Sequence, residues 1–281
     1  MRVLHIGKFF PPVPGGMEVF LRDLMLAQRK GGSESFAIVH QGHRAPNPAE
    51  VPWLVQVPVW LRLLFAPISP TFPFALARAI RELEPDVLHL HLPNPSAFWV
   101  LAIPSARRLP WVIHWHSDVV PSQISPALRL AYPFYRPLEQ AVLERCAAIV
   151  PTSTPYLEAS QPLARWREKC RVISLGVDID RLPDEKVAEP AFWPEKMFRI
   201  LAIGRLTYYK GFDTLIRAVA TLPGVQLVIV GNGDDYPQLA ALIEQEKAGE
   251  RIRLPGELDD ASRNLLLSYC DVLCLPSRER T

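Results

Sequence analysis

Short apolar runs recur along the chain, and each is followed by a turn signal and a more polar stretch with helical periodicity. In the first part they are Val3 to Ile6, Phe36 to Val39, Val87 to Leu92, Trp111 to Trp115, Ala147 to Val150 and Val172 to Leu175; in the second they are Ile200 to Ile203, Gln226 to Val230, Ile252 to Leu254 and Val272 to Leu275. Continuous Val, Ile and Leu runs without alternation predict parallel strands buried on both faces. Amphipathic segments over 18–30, closed by Gly31-Gly32, and over 74–84, 212–222 and 261–269 predict covering helices. The fold class read from this pattern is α/β, with two Rossmann-like, doubly wound domains. Pro183, Asp184, Glu185, Glu189, Pro190 and Pro194 give the stretch from Asp180 to Phe198 a linker-like composition, so the expected domains are 1–180 and 181–281. The second domain reads as truncated: it has only four strand runs, and the last leads into Pro276-Ser277-Arg278 with no helix after it.

Composition adds less. About half of the 281 residues are apolar and about a fifth charged, and the net charge is only +2, which argues against nucleic acid as a partner. Cys146, Cys170, Cys270 and Cys274 have no metal-type spacing and no secretory signal precedes Val3, so a cytoplasmic setting is expected. One region departs from the average. Between Glu50 and Glu82 there is no acid, while Arg62, Arg78 and Arg81 stand with Trp53, Trp60, Leu61, Leu63, Leu64 and Phe65. Residues 51–81 therefore carry two open readings, a peripheral contact with the inner face of an anionic membrane or the lining of a core or acceptor site. Arg62 and the prolines argue against a membrane-spanning helix.

Four constellations carry candidate chemistry. Gly15-Gly16-Met17-Glu18 follows the first strand where a helix begins; its glycines and helix N-terminus would attract an anion, although a plain turn with Glu18 complementing the helix dipole explains it equally. Gly204-Arg205-Leu206-Thr207-Tyr208-Tyr209-Lys210-Gly211 places two cations beyond a strand end, where ligands of open α/β sheets lie, so Arg205 and Lys210 are candidates to hold a diphosphate. Gly231-Asn232-Gly233-Asp234 lies at another strand end and lacks the third glycine of the dinucleotide fingerprint, because Tyr236 stands there. In His114-Trp115-His116-Ser117-Asp118, His116 is the functional candidate, Asp118 a carboxylate able to tune it, and His114 a satisfied core histidine. His89 and His91 are expected to face opposite ways, and no metal-ligand set is found; Asp178-Ile179-Asp180 is read as a domain-end turn. No metal or other cofactor is expected.

Taken in order, these segments and Leu175-Gly176-Val177-Asp178 resemble the retaining GT-B glycosyltransferases of glycosyltransferase family 4 along nearly the whole chain. The resemblance implies two domains facing a cleft, a GDP- or UDP-linked sugar donor held by the second, and a glycan or lipid-linked acceptor on the first, in cell-envelope or exopolysaccharide assembly. By matching position, Arg205 and Lys210 hold the donor diphosphate, the Gly15-Gly16 backbone meets it on closure, and His116 contacts the transferring sugar. Gly231, Asn232 and Leu258 lie near the nucleotide, and Glu18 and Asp118 support the acceptor side. The family's Glu-x7-Glu pair should follow Pro276-Ser277; Glu279 alone stands near that place, so a fragment with weak donor binding and little transfer is expected. The alternatives weighed are a nucleotide- or anion-binding module without turnover and a GT-B epimerase or phosphorylase.

Overall fold

The computed structural model describes residues 1–42, 46–47, 50–63, 66–120, 126–176, 193 and 197–278. Leu64, Phe65, the proline-bearing linker, the Asp178-Ile179-Asp180 turn, Val177 and Glu279 lie outside the described residues. The chain divides into two compact units, Met1–Leu175 and Gly176–Thr281, a few residues ahead of the expected boundary.

In chain order the first unit contains β1 (Arg2–Ile6), α1 (Gly16–Lys30), β2 (Glu34–His40), β3 (Leu54–Val57), β4 (Leu61–Leu63), β5 (Ala66–Ile68), α2 (Phe72–Leu83), β6 (Val87–Leu92), α3 (Pro104–Arg107), β7 (Trp111–Trp115), α4 (Pro126–Arg145), β8 (Ala148–Pro151) and α5 (Thr154–Ala159). Six strands form one sheet in the order β3-β2-β1-β6-β7-β8, and every pairing is parallel. Side chains alternate across it. Leu4, Ile6, Ile38, Leu88 and Leu90 point to the side covered by α2, where Phe72 and Leu76 meet them. Ala37, Val39 and Leu54 point to the side of α1, where Leu21 and Met25 are fully covered.

The sixth strand is not the expected one. Leu54 and Val57 are buried and β3 pairs with Ala37 to His40, whereas Val172, Ile173 and Leu175 are 37%, 59% and 50% exposed. That segment runs beside β8 through two backbone bonds, Arg171 N to Ile149 O and Ile173 N to Pro151 O, with a single bridge at Cys170. Apolar composition alone does not supply the neighbouring layer that a strand needs on its outer face. The stretch of 51–81 is split as well. Trp53 packs edge-on against Phe10 and carries the Arg29 guanidinium, while β4 and β5 form a small antiparallel hairpin that leaves Trp60, Leu61 and Leu63 exposed. Helix α4 was not anticipated, because Pro133 and Pro137 interrupt its pattern; both lie on its exposed side, and Glu139, Val142 and Leu143 are buried. No helix among the described residues is long and apolar enough to cross a membrane.

The second unit holds β9 (Phe198–Ile203), α6 (Phe212–Ala220), β10 (Val225–Val230), α7 (Tyr236–Gln245), β11 (Ile252–Gly256), α8 (Asp260–Tyr269) and β12 (Val272–Leu273). Its parallel sheet runs β11-β10-β9-β12. Ala202, Leu227 and Ile229 face α6 and α7, while Leu201, Val228 and Val230 face Leu266 of α8. Both faces are covered, as continuous apolar runs require.

Candidate functional site

In the first unit the loop after β1 delivers Gly15 as the N-cap of α1. A Cβ there would lie 2.0 Å from Glu18 Oε2, so the carboxylate folds back over the helix start. Glu18 is accordingly buried, in the first turn of α1 where the dipole reading placed it. Gly16 is exposed with open space around its Cα. One turn on, Phe20 packs against His114 with ring centroids 4.3 Å apart and against His116 at 5.2 Å. The helix start and His116 are thereby brought to one region of this unit.

His116 belongs to a group of five histidines on the α1 side of β1, β6 and β7. His5 stands in register with His89, and His91 with His114, and cross-strand neighbours in register point the same way. The expectation that His89 and His91 face opposite ways is overturned, since residues two apart on a strand share a face; their rings stack at 4.8 Å. His5, His89 and His91 offer nitrogens within 4.8 Å of one another, but two of those nitrogens bond each other. The bonds form a row: Gln28 Oε1 to His5 Nε2 at 2.8 Å, His5 Nδ1 to His91 Nε2 at 3.0 Å, and His91 Nδ1 to His116 Nε2 at 3.1 Å.

Burial sets the protonation of this group. Leaving water disfavours the imidazolium, which lowers His5 and His114 to about 4, His116 to about 3, and His89 and His91 well below the ordinary 6.5. Neighbouring imidazoles add to the effect at His5, His89, His91 and His116. Asp118 is not the tuning partner of His116. Its Oδ1 accepts from Trp115 Nε1, Tyr156 OH and Ser160 Oγ, each at 2.8 Å, so it ties the segment after β7 to α5. His114 is buried as expected, but its Nε2 has no hydrogen-bond partner among the described residues, so it is not a satisfied histidine. The histidine group was visible in principle, in two His-x-His pairs on predicted strands.

In the second unit the turns after β9 and β10 are wedged together through backbone. A Cβ on Gly231, whose φ is +143°, would lie 2.0 Å from Gly204 O, and one on Gly233 would lie 2.2 Å from Leu206 O. Leu206 N donates to Asn232 O at 3.0 Å and Gly231 N to Gly256 O at 2.8 Å. The Asn-Gly turn is thus more than a tight corner, because it seats against the neighbouring strand end. Lys210 lies back over Gly204, with Cε 3.8 Å from the Cβ position of that glycine, and its ammonium sits 5.4 Å from the Tyr209 ring centroid. Arg205 is exposed, and among the described residues neither Arg205 nor Lys210 forms an ion pair. Arg278 braces this segment, donating through N to Tyr209 O and through Nη1 to Tyr208 O, both at 2.8 Å, and pairing with Asp213. Leu258 packs beside Leu266, just past the end of β11. A depression of about 410 Å³ lies between α6 and α7, lined in part by Asp213, Asp235 and Gln238; it excludes Arg205, Lys210 and Asn232, so the cations face a different part of the surface.

Two units with parallel α/β sheets, each with its candidate groups beyond the strand ends, define a Rossmann-like protein of two doubly wound units. The family model described as Glycosyltransferase Family 4 matches residues 14–181, and that described as Glycosyl transferases group 1 matches 184–279. The D-rhamnosyltransferase WbpZ of Pseudomonas aeruginosa is 31% identical over 292 residues, spanning 100% of this chain and 72% of its own. The O-antigen chain mannosyltransferase C of Escherichia coli is 25% identical, spanning 100% and 74%. Among solved structures, sucrose-phosphate synthase from Thermosynechococcus elongatus superposes with a TM-score of 0.78 at 20% identity over 98% of this chain and 75% of that one. Anabaena HepE, solved in complex with UDP and glucose, superposes with a TM-score of 0.72 at 20% identity over 99% and 74%. The chain belongs to glycosyltransferase family 4, and it is a glycosyltransferase.

Proposed function

We propose that this enzyme moves a sugar from a nucleoside diphosphate donor, GDP- or UDP-linked, to a hydroxyl of a glycan or lipid-linked acceptor with retention, in cell-envelope polysaccharide assembly. The bond between the anomeric carbon and the diphosphate oxygen breaks with its electron pair going to the diphosphate, the acceptor oxygen bonds to that carbon on the face the diphosphate leaves, and the acceptor hydroxyl's proton passes to the departing diphosphate. The leaving diphosphate gains negative charge as this happens, so fixed cations stabilise the transition state more than the ground state. Arg205 and Lys210 hold the diphosphate; Gly231, Asn232 and Leu258 border the nucleotide; His116 contacts the sugar; the open first turn at Gly15 and Gly16 offers amides to phosphate oxygens; Glu18 and Asp118 support the acceptor side by holding the α1 start and the segment after β7. The observation that carries this reading is the pair of cations at the end of β9 that form no ion pair among the described residues, one laid over Gly204, beside a turn seated through glycine backbone. Relatives named as rhamnosyl- and mannosyltransferases and a structural neighbour solved with UDP-glucose support the donor class. Calorimetric titration with UDP and with GDP tests it: one nucleotide should bind, and Arg205→Ala and Lys210→Ala should each weaken it about 10- to 100-fold, the worth of one charged hydrogen bond. Binding unchanged in both variants overturns the assignment.

A second proposal concerns the acceptor side. Trp60 is 68% and Leu63 61% exposed on either side of Arg62 in sequence, and exposed apolar side chains flanking a cation fit the surface of an anionic bilayer. Co-sedimentation with vesicles containing phosphatidylglycerol should fall on Trp60→Ala combined with Leu63→Glu. Equal sedimentation of both proteins rejects the contact.

A further inference from the structure

We infer that Gln28, His5 and His91 form a one-way hydrogen-bond chain that holds His116 as the Nε2-H tautomer and presents its Nδ1 as a hydrogen-bond acceptor for a hydroxyl of the transferring sugar. The sugar contact rests on the proposed function; the direction of the chain does not.

Each neutral imidazole in the row has one donor nitrogen and one acceptor nitrogen, so one end dictates all the rest. The deciding end is Gln28. Its Oε1 lies 2.6 Å from Ser35 Oγ, a separation ordinary for O-H to O and short for N-H to O, so the amide atom facing Ser35 is oxygen. The same oxygen lies 2.8 Å from His5 Nε2 and has no proton to give, so His5 donates from Nε2 and accepts at Nδ1. His91 Nε2 then donates to His5 Nδ1, and His116 Nε2 donates to His91 Nδ1. Reversing any one link sets two lone pairs or two protons against each other. His5 and His91 are 0% and 1% exposed, which leaves no water to repair such a mismatch.

The chain needs each ring to carry a single proton, and the lowering of all three by burial meets that need at neutral pH. His116 is also held in place: its backbone N-H donates to Leu92 O at 2.9 Å, and Phe20 stands edge-on to its ring. Nδ1 is left without a partner among the described residues. A neutral nitrogen fixed as acceptor takes a hydrogen bond donated by a sugar hydroxyl, where the other tautomer would set an N-H against that hydroxyl's proton. Gln28, His5 and His91 are positioning residues, acting on substrate only through His116.

The test is two-bond proton-nitrogen correlation spectroscopy of the full chain with nitrogen-15 histidine, joined to kinetics of nucleotide release from UDP-glucose and from GDP-mannose. The wild type should show His116 protonated at Nε2 only. Gln28→Leu, at a partly buried position that tolerates an apolar side chain, should give a mixture of His116 tautomers. His91→Phe should lower kcat about tenfold or more, the direction a wrong tautomer imposes, with donor KM nearly unchanged. His91→Asn, whose amide oxygen replaces Nδ1, should restore most of it. A wild-type His116 protonated at Nδ1, or a pure Nε2-H signal with full kcat in both Gln28→Leu and His91→Phe, overturns the inference. Full turnover by His116→Ala with the expected tautomer overturns the sugar contact alone and leaves the chain direction standing.

Discussion

Replacing Asp118 with alanine removes the common acceptor of three side chains from two elements. Trp115 Nε1, Tyr156 OH and Ser160 Oγ all end on Oδ1 at 2.8 Å. The indole is the costly one. Trp115 is 1% exposed and its ring is locked among core side chains, so its N-H cannot turn to another acceptor, and an unsatisfied buried donor costs about 1 to 3 kcal/mol. The two hydroxyls rotate and recover part of their bonding, adding about 1 kcal/mol between them. Asp118→Ala should therefore destabilise the first unit by about 2 to 4 kcal/mol, whereas Asp118→Asn keeps an oxygen in place and should lose only about 1 kcal/mol. Urea unfolding followed by tryptophan fluorescence reads both variants; with two units the first transition must be fitted separately. An Asp118→Ala midpoint equivalent to less than about 0.5 kcal/mol, the range of an inert surface change, would refute the account of this acceptor, as would equal damage from Asn and Ala.

Other expectations follow from particular contacts. Gly231→Ala sets a methyl 2.0 Å from Gly204 O at a positive φ, so nucleotide binding should vanish and the second unit lose about 2 kcal/mol or more, read by calorimetry and by urea unfolding. Burial pushes the Glu139 carboxyl up to about 7, a raised folded value, so its contribution is fully present below the ordinary 4.5 and lost as pH rises through 7. Glu139→Gln should then exceed the wild type in stability at pH 8 by up to about 3 kcal/mol and match it below about pH 4.5; a constant difference across that window counts against a buried acid. The histidine group acts in the opposite sense. His5, lowered to about 4, contributes stability present above its ordinary 6.5 and lost as pH falls towards 4, so acid melting of the first unit should shift downward in His5→Gln; an unchanged acid midpoint would show that His5 does not drive it.

How much of this was legible depended on whether the information was local. Leu88, Leu90 and Ile113 sit in runs that only a doubly covered parallel strand needs, so the central strands and the places just beyond them, including Gly16, His116 and Arg205, read directly from pattern. The edge did not. Leu54 and Val57 become a strand because β2 has an unpaired side there, whereas Val172 and Ile173, equally apolar, find no layer beyond them. Pro133 and Pro137 hid α4, since an interior proline ordinarily breaks a helix; here both are exposed and the helix continues through them. The histidine row was hidden differently: the spacing of His89 and His91 placed them on one face, but the alignment with His5 and His114 comes from the register of three strands far apart in sequence. Asp118 was read as a partner for its neighbour when its three donors include Tyr156 and Ser160, dozens of residues away.

If the proposed donor site is right, the wedge between the turns after β9 and β10 also says where donor preference is open to engineering. Glycines 231 and 233 touch carbonyl oxygens of the adjoining turn, so any randomised library that includes them fills with misfolded members. Position 257, with its exposed side chain, follows Gly256, whose carbonyl takes the Gly231 N-H, and accepts new side chains without moving that backbone, whereas Arg205 is kept for the donor diphosphate. A screen for altered nucleotide or sugar choice is thereby reduced from a loop problem to a side-chain problem, searchable with a few saturated positions rather than a remodelled segment.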